Sequence, residues 1–388
     1  MPLCHIYSEK GCSADMTVKG EIRILLYNPA FSDNTWNVGS QRAEETCIAL
    51  SQLGISITIA SSGVIHGREF ARGFSSLPLP KDPINRFQKL TDIVRKGNFD
   101  LIQERVQTGN LISSGYGNAV SIRTGLPLVL EIHSQGTMID LIRSLPWLPF
   151  SMWRSKLILS YAKIQNNFSF GVSSSRFIEV PNGFSRRLIE SIAGKERQIF
   201  DLQALARGRK IVGYFGEFSK DKGVDLLLDI AELMRGENGI VFALAGKGPL
   251  ESLINRRAQD RDSNLINLGL LSKQQVLACI AQCMITYAIY SNKQSGRTGY
   301  GGNPVKVVES LALGVPAIIP ADLELHPSLR SLCRVVETRD AQIIADIVRK
   351  IVMGEESKKH DFKGVTDFSI EEIARRILIP AYSEILER

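Results

Sequence analysis

Short apolar runs of strand length alternate along the chain with stretches of helical periodicity, the pattern that parallel sheets with crossover helices leave in a sequence. The spacing predicts strands over 21–27, 55–61, 99–105, 127–133 and 168–174, with the clearest helices of this half at 41–53 and 85–97. Around 181–209 the pattern breaks: Pro181-Asn182-Gly183-Phe184-Ser185 makes a turn, a basic helix follows, and an Arg-Gly-Arg-Lys run leads into a new strand. The alternation then restarts, with strands predicted over 210–218, 239–248, 264–269, 284–290, 315–320 and 333–337 and helices over 222–235, 249–261, 272–282, 303–313 and 338–353. The expectation is an α/β chain of two doubly wound, Rossmann-like domains, 21–185 and 210–365, joined by a linker over 186–209. A loose arm over 1–20 precedes them, and a C-terminal helix over 366–388 is expected to pack back towards the first domain. Ligands of such sheets lie outside the carboxyl ends of the strands, so the loops of both domains face one cleft.

Composition agrees with two globular units. The 388 residues are 44% hydrophobic and 22% charged, with a mean hydropathy of -0.01, which excludes a disordered chain, a collagen-like repeat and a membrane-embedded bundle. The net charge of +7 is uneven: residues 1–200 hold 22 basic and 16 acidic side chains, residues 201–388 hold 25 and 24. A basic first half suits an anionic contact such as a lipid surface, a nucleic acid or an anionic substrate, and solubility alone explains it equally well. Cysteines at 4, 12, 47, 279, 283 and 333 are too sparse for a disulfide framework, and none forms a CxxC pair, which points to a reducing compartment. Cys279 and Cys283 stand one helical turn apart in an apolar stretch and are expected to be buried thiols. No uncharged apolar window of about 18 residues is long enough to span a bilayer, and the first 20 residues lack the apolar core of a signal peptide. Met16 is a second candidate start. The expected location is the cytoplasm.

Three stretches carry candidate chemistry. In Gly213-Tyr214-Phe215-Gly216-Glu217-Phe218, a strand ends at Gly216, and Lys222-Gly223 then opens an amphipathic helix. A lysine beside the unpaired N–H groups of a helix start is a seat for a diphosphate, and equally a solvated lysine beside a turn glycine. Gly246 and Gly248 flank Lys247 directly after a strand, with Pro249 suited to a first helical turn; a tight strand-to-helix turn accounts for both glycines better than ligand approach does. The most informative stretch is 295–320. Glycines 296, 299, 301 and 302 make a pliant loop, Asn303 is a good N-cap, Pro304 a good first helical residue, and Val305 follows. Lys306 and Glu309 are three apart and project from one helical face, where a cation and a carboxylate serve a phosphate and a sugar diol. The alternative is an exposed ion pair worth about 0.3–0.5 kcal/mol.

Residues 303–320, Asn-Pro-Val-Lys-Val-Val-Glu running on through Leu-Gly-Val-Pro, together with the stretches 213–231, 242–253 and 264–283 in that order, resemble the nucleotide-sugar-binding domain of the GT-B glycosyltransferases, in particular the retaining enzymes of family four. The likeness covers about residues 210–320. The first half resembles the acceptor domain more loosely: Asn37-Val38-Gly39-Ser40 follows the first strand as that family's acceptor-side loop does, the stretches 99–111 and 125–134 also fit, the latter carrying His133 at its strand end, where relatives often carry a histidine facing the donor sugar, and Asn182-Gly183 matches the turn before the linker.

The resemblance implies a hexosyltransferase-like enzyme that moves a sugar from a nucleotide-diphospho-sugar to an acceptor hydroxyl with retention, in cell-surface polysaccharide or glycolipid synthesis, with no cofactor or obligatory metal beyond the nucleotide-sugar co-substrate. It implies that Lys222 contacts the diphosphate, Glu309 the ribose hydroxyls and His133 the transferred sugar, with Gly216, Gly246, Arg297, Gly302, Asn303, Pro304, Val305 and Lys306 around the donor. The chain departs from the pattern at two positions. Glu217 replaces an arginine, leaving Arg297, Lys293 or Lys247 to supply a cation, and Gly301 replaces the first of two glutamates, leaving Asn303 or loop amides to meet the sugar. The helix usual in that family between the stretches 169–175 and 176–183 is missing. His133 stands at a strand end, where a histidine is as often a hydrogen-bonded structural group; His66, His326 and His360 have no comparable setting.

Residues 141–178 hold Arg143, Arg154, Lys156, Lys163 and Arg176 and no acid, interleaved with Trp147, Phe150, Trp153 and Tyr161 and with Leu145, Leu148, Leu157 and Ile158. One reading is an amphipathic surface that docks on the inner face of an anionic membrane, where a saccharide or lipid-linked acceptor is reached; the other is a pair of core helices with a solvated basic face. No nucleic-acid-binding module is recognisable. Two further functions remain open, a non-catalytic descendant that binds a nucleotide sugar or a partner, and a nucleotide-sugar epimerase. A dinucleotide oxidoreductase is disfavoured because no GxGxxG follows either first strand.

Overall fold

The computed structural model describes residues 21–29, 38–63, 69–70, 74–106, 115–133, 143–161, 169–291, 303–354 and 362–387. The first sheet has eight strands: β1 (Arg23–Tyr27), β2 (Ser56–Ser61), β3 (Glu69–Phe70), β4 (Phe74–Pro78), β5 (Leu101–Val106), β6 (Leu128–Ile132), β7 (Leu157–Ser160) and β8 (Phe177–Glu179), in the order β3-β4-β2-β1-β5-β6-β7-β8. All pairs are parallel except β3 with β4. The strand pleat divides the apolar side chains between two layers. Ile24 and Leu26 of β1 join a core with helix α1 (Val38–Gln52), while Leu25 and Tyr27 join the opposite core with α2 (Pro83–Lys96), α3 (Tyr116–Thr124) and α4 (Leu148–Arg154).

After α5 (Arg186–Ile192), the second sheet has six parallel strands, β9 (Lys210–Phe215), β10 (Ile240–Ala245), β11 (Leu265–Gly269), β12 (Ile285–Tyr287), β13 (Ala317–Pro320) and β14 (Arg334–Val336), ordered β11-β10-β9-β12-β13-β14. Helices α6 (Val224–Leu233), α7 (Glu251–Gln259), α8 (Lys273–Ala281), α9 (Val305–Ala312) and α10 (Ala341–Val352) alternate with them. Every residue of β10 is buried. Ile240, Phe242 and Leu244 face one core, and Val241, Ala243 and Ala245 the other.

The strand expected at 168–174 does not form. Phe170 and Gly171 take positive φ values of 48° and 73°, which no extended strand accommodates, and a single 3-10 turn, Ser174–Arg176, leads into β8; residue 168 lies outside the described residues. The strand is instead β7, a buried run of four whose apolar character does not by itself separate strand from helix. Residues 186–209 are not a bare linker. Leu188, Ile192, Leu202 and Ala206 pack with Ile211, Val241 and Ala243 in a second-domain core.

The C-terminal segment returns across both domains. Phe184 and Phe368 pack with Val307, Val308 and Leu311 of α9, and Phe184 donates to the Phe368 carbonyl and accepts from Ile370 N at 3.1 and 2.8 Å. Residues from Ile370 to Tyr382 then enter the α1 core of the first sheet, where the Tyr382 hydroxyl donates to Gln103 Oε1 at 2.7 Å. Gly183 permits this crossing, since a Cβ there would lie 2.4 Å from the Phe368 carbonyl oxygen.

Candidate active site

The loops after β9 and β10 are laced together. Gly216 N donates to the Ala245 carbonyl at 3.0 Å, Gly246 N to Gly269 at 2.9 Å, and Phe218 N to Lys247 at 2.9 Å. A Cβ on Gly246 would fall 1.8 Å from the Gly216 oxygen, and one on Gly248 would fall 2.6 Å from the Phe218 oxygen. The structural explanation of these glycines therefore holds: they let two loops touch. Gly223, at φ 68°, similarly brings the start of α6 against the end of β12, where a Cβ would meet the Ile289 oxygen at 2.0 Å. Pro249 and Leu250 precede α7, which starts at Glu251, so the proline lies in the turn.

On this platform two lysines converge. Lys306 places Nζ 4.5 Å from the ring centre of Tyr214 and 4.9 Å from that of Tyr290, beside Gly216, whose hypothetical Cβ would be 3.8 Å away. Lys222 lies 5.7 Å from the Tyr290 ring and 3.3 Å from the Asp221 carboxylate. Burial, reinforced by the Lys222 charge and opposed by Asp221, lowers the Lys306 pKa to about 7. Among the described residues Lys306 has no carboxylate within ion-pair distance; its stabilisation comes from two aromatic faces. A half-buried lysine beside a second lysine at the carboxyl end of a sheet is a site built for an anion. Glu217 is exposed, and its carbonyl accepts the Tyr214 hydroxyl at 2.6 Å. Lys247 is also exposed.

Lys306 and Glu309 do not act as a pair. One turn on along α9, Glu309 is 4% exposed and accepts Lys273 Nζ, from the first turn of α8, at Oε1. Glu45 of α1 comes from the first domain: burial raises its pKa to about 7, Lys273 opposing and Glu309 adding to the rise. The Asn303 cap is corrected as well. Pro304 occupies the N-cap of α9 and the helix starts at Val305, while the buried Asn303 uses Oδ1 to accept His326 N at 3.1 Å, pinning the loop to the helix Pro327–Arg330. Lys293, Arg297, Gly301 and Gly302 lie outside the described residues, as do His66 and His360.

In the first domain, Gly39 and Ser40 lie in the first turn of α1 rather than in a loop, and Ser40 is buried. His133, just beyond β6, bonds through Nε2 to Glu131 Oε1 and stacks on Tyr161 with ring centres 4.2 Å apart and planes at 10°. Burial and the nearby Arg105 drive its pKa down to about 3; burial favours the neutral acid at Glu131, but His133 and Arg105 overcome it and hold that carboxyl at about 2. A neutral imidazole bonded at Nε2 to a carboxylate carries its proton there, which leaves Nδ1 an acceptor. That Nδ1 is buried and has no partner among the described residues. Beside this group Arg42 covers the Tyr161 ring at 5.7 Å and donates to Asn182 Oδ1. Arg42, Lys273, Tyr214 and Tyr290 escaped the sequence reading because each acquires its role from a partner distant in the chain, and Glu131, two residues from His133, because its other partners Gln103 and Arg105 lie on the neighbouring strand. A readable sign stood only beside Lys273, the Ser272–Gln275 capping box that starts α8.

Residues 209–353 match the family model described as glycosyl transferases group 1. The second domain belongs to that family. Solved structures resemble the whole chain: a glycosyltransferase from Rickettsia africae (TM-score 0.69, 12% identity, 95% of this chain and 99% of that one) and Anabaena HepE in complex with UDP and glucose (0.65, 14%, 94% and 100%). WaaG, a glycosyltransferase involved in lipopolysaccharide biosynthesis, is similar at a TM-score of 0.56 and 10% identity, over 91% of this chain and 94% of that one. No curated protein sequence matches. The fold is GT-B, and with a glycosyl transferases group 1 domain over 209–353 the chain is a glycosyltransferase.

Proposed function

We propose that this glycosyltransferase takes a nucleotide-diphospho-sugar as donor and transfers its sugar with retention to a hydroxyl of a saccharide or lipid-linked acceptor, in surface polysaccharide or glycolipid synthesis. The observation that carries the donor assignment is the half-buried Lys306, its ammonium held over the Tyr214 and Tyr290 rings next to Lys222. The diphosphate lies across these two lysines at the end of β9 and completes their charge. As the glycosidic bond breaks, negative charge grows on the leaving phosphate, and the two cations together with the N-terminal end of α9 stabilise it. Glu309, buried and bonded to Lys273, grips the ribose hydroxyls. His133 meets the transferred sugar across the cleft, where its Nδ1 accepts from a sugar hydroxyl. HepE, solved with UDP and glucose, makes a uridine nucleotide the first donor to try.

The acceptor side includes a face for an anionic membrane. Leu145, Phe150 and Trp153 are 49, 49 and 66% exposed, beside exposed Arg143, Arg154 and Lys156, a mixture that suits headgroup contact. The patch is smaller than the sequence indicates. Leu148, Leu157, Ile158 and Tyr161 are buried in cores and Trp147 packs against one, while Lys163 lies outside the described residues. No helix among the described residues is long and apolar enough to cross a membrane.

A panel of nucleotide sugars incubated with the protein and candidate acceptors, with products read by mass, tests the reading. Sugar appearing on an acceptor with release of nucleoside diphosphate is the expected result. Epimerised donor, or binding without turnover in every combination, overturns it.

A further inference from the structure

Glu309 is a carboxylate whose side chain is only 6% exposed, an arrangement that costs several kcal/mol unless a counter-charge is close. The counter-charge is Lys273, whose ammonium bonds Glu309 Oε1. Among the described residues this is the one hydrogen bond the Glu309 carboxylate accepts, so Oε2 is left for another donor. Lys273 is itself firmly placed. It sits in the first turn of α8, where the Ser272 hydroxyl accepts Gln275 N at 3.3 Å and Gln275 Oε1 accepts Ser272 N at 3.0 Å. Burial works against its charge, but Glu309 and then Glu45 of the first domain outweigh it and raise its pKa.

We propose that Lys273 is a positioning residue for Glu309, holding the carboxylate aimed so that it accepts both hydroxyls of the donor's ribose, and that it thereby sets a preference for ribonucleotides over 2′-deoxyribonucleotides. The inference rests on the reading above that Glu309 meets the pentose. A carboxylate offers about four lone-pair sites. Lys273 takes one and fixes the plane of the rest, and two vicinal hydroxyls take two of the others with charge-assisted bonds. Removal of the ammonium leaves a buried acid with no counter-charge to fix its direction; it turns away, and the bond specific to the 2′-hydroxyl goes with it.

The test is calorimetric titration of the full chain with UDP and 2′-deoxy-UDP, and with GDP and 2′-deoxy-GDP, taking the pair whose ribonucleotide binds more tightly. A hydrogen bond to a charged group corresponds to about tenfold or more in affinity, so the wild-type protein prefers the ribonucleotide by at least about that factor. Lys273→Met is expected to reduce the ratio to below about threefold, Lys273→Gln to do so if the methionine variant does not fold, and Lys273→Arg to keep most of it. A merely structural lysine would lower the melting temperature or both affinities together and leave the ratio unchanged. If Glu309→Gln abolishes the preference while Lys273→Met and Lys273→Gln retain it in full, the role of Lys273 is overturned and the ribose reading stands. If Glu309→Gln retains it, or if neither ribonucleotide is preferred, the reading of Glu309 fails and takes this inference with it.

Discussion

Raising the pH from 6 to 9 should weaken donor binding, and Lys306 should be the reason. In the free protein its pKa is lowered to about 7, first by burial and then by Lys222, so it is mostly charged at pH 6 and mostly neutral at pH 8. A diphosphate laid beside Nζ returns the preference to the ammonium. Above pH 7 binding must therefore first take up a proton, and affinity falls by up to about tenfold per pH unit, or about 1.4 kcal/mol. Between pH 6 and pH 8 the net loss is about tenfold. Sugar nucleotides make the cleanest probe, since their diphosphate does not titrate in this interval, and calorimetry in two buffers of different ionisation enthalpy counts the proton directly. Lys306→Arg, charged throughout, should flatten the profile at the high-affinity end, and Lys306→Met should flatten it at the low end. The sign for stability is opposite. A lysine whose folded pKa lies below its unfolded value destabilises the free protein as pH falls from about 10 to 7, with the full penalty below 7. Lys306→Met should accordingly raise the stability of the free protein at pH 7 by about 1–4 kcal/mol while it weakens binding. A wild-type profile that stays flat from pH 6 to 9, or a slope that survives in Lys306→Met, would refute the reasoning.

Gly246→Ala should cost about 1–3 kcal/mol in urea unfolding, because its Cβ meets the Gly216 oxygen at 1.8 Å; a smaller loss than that of Gly54→Ala, where only backbone strain is at stake, would argue against the loop-to-loop contact. Tyr382→Phe removes the buried bond to Gln103 and should lower stability by about 1 kcal/mol, seen as a shifted urea midpoint at constant slope. Phe150→Ser combined with Trp153→Ser should abolish flotation with anionic vesicles at low salt, whereas a wild-type protein that stays in the soluble fraction whatever the lipid removes the membrane reading. Transfer should continue in excess EDTA, since lysines supply the positive charge at the diphosphate; activity lost to the chelator and restored by magnesium would contradict this.

The order of elements was legible in the chain alone. Ten of the strands follow apolar runs that lie between helical stretches, because a parallel sheet buried on both faces needs continuous apolar segments of that length. The glycines at 216, 223 and 246 and the stretch from Asn303 to Pro320 also marked the end of the second sheet where the candidate site lies, since tight turns and helix starts leave local signatures. Pairing was not legible. Lys306 and Glu309, three apart on one helix, read as partners, yet one lies between Tyr214 and Tyr290 and the other bonds Lys273. The His133–Glu131–Arg105 group, the passage of Gly183 beneath Phe368 and the burial of half the basic aromatic stretch likewise arise from strands and helices meeting across the fold. Periodicity records which face of an element avoids water. The charge or ring that waits opposite that face is set by sheet order and crossover packing, and those long-range contacts determine which lysine is left to hold an anion.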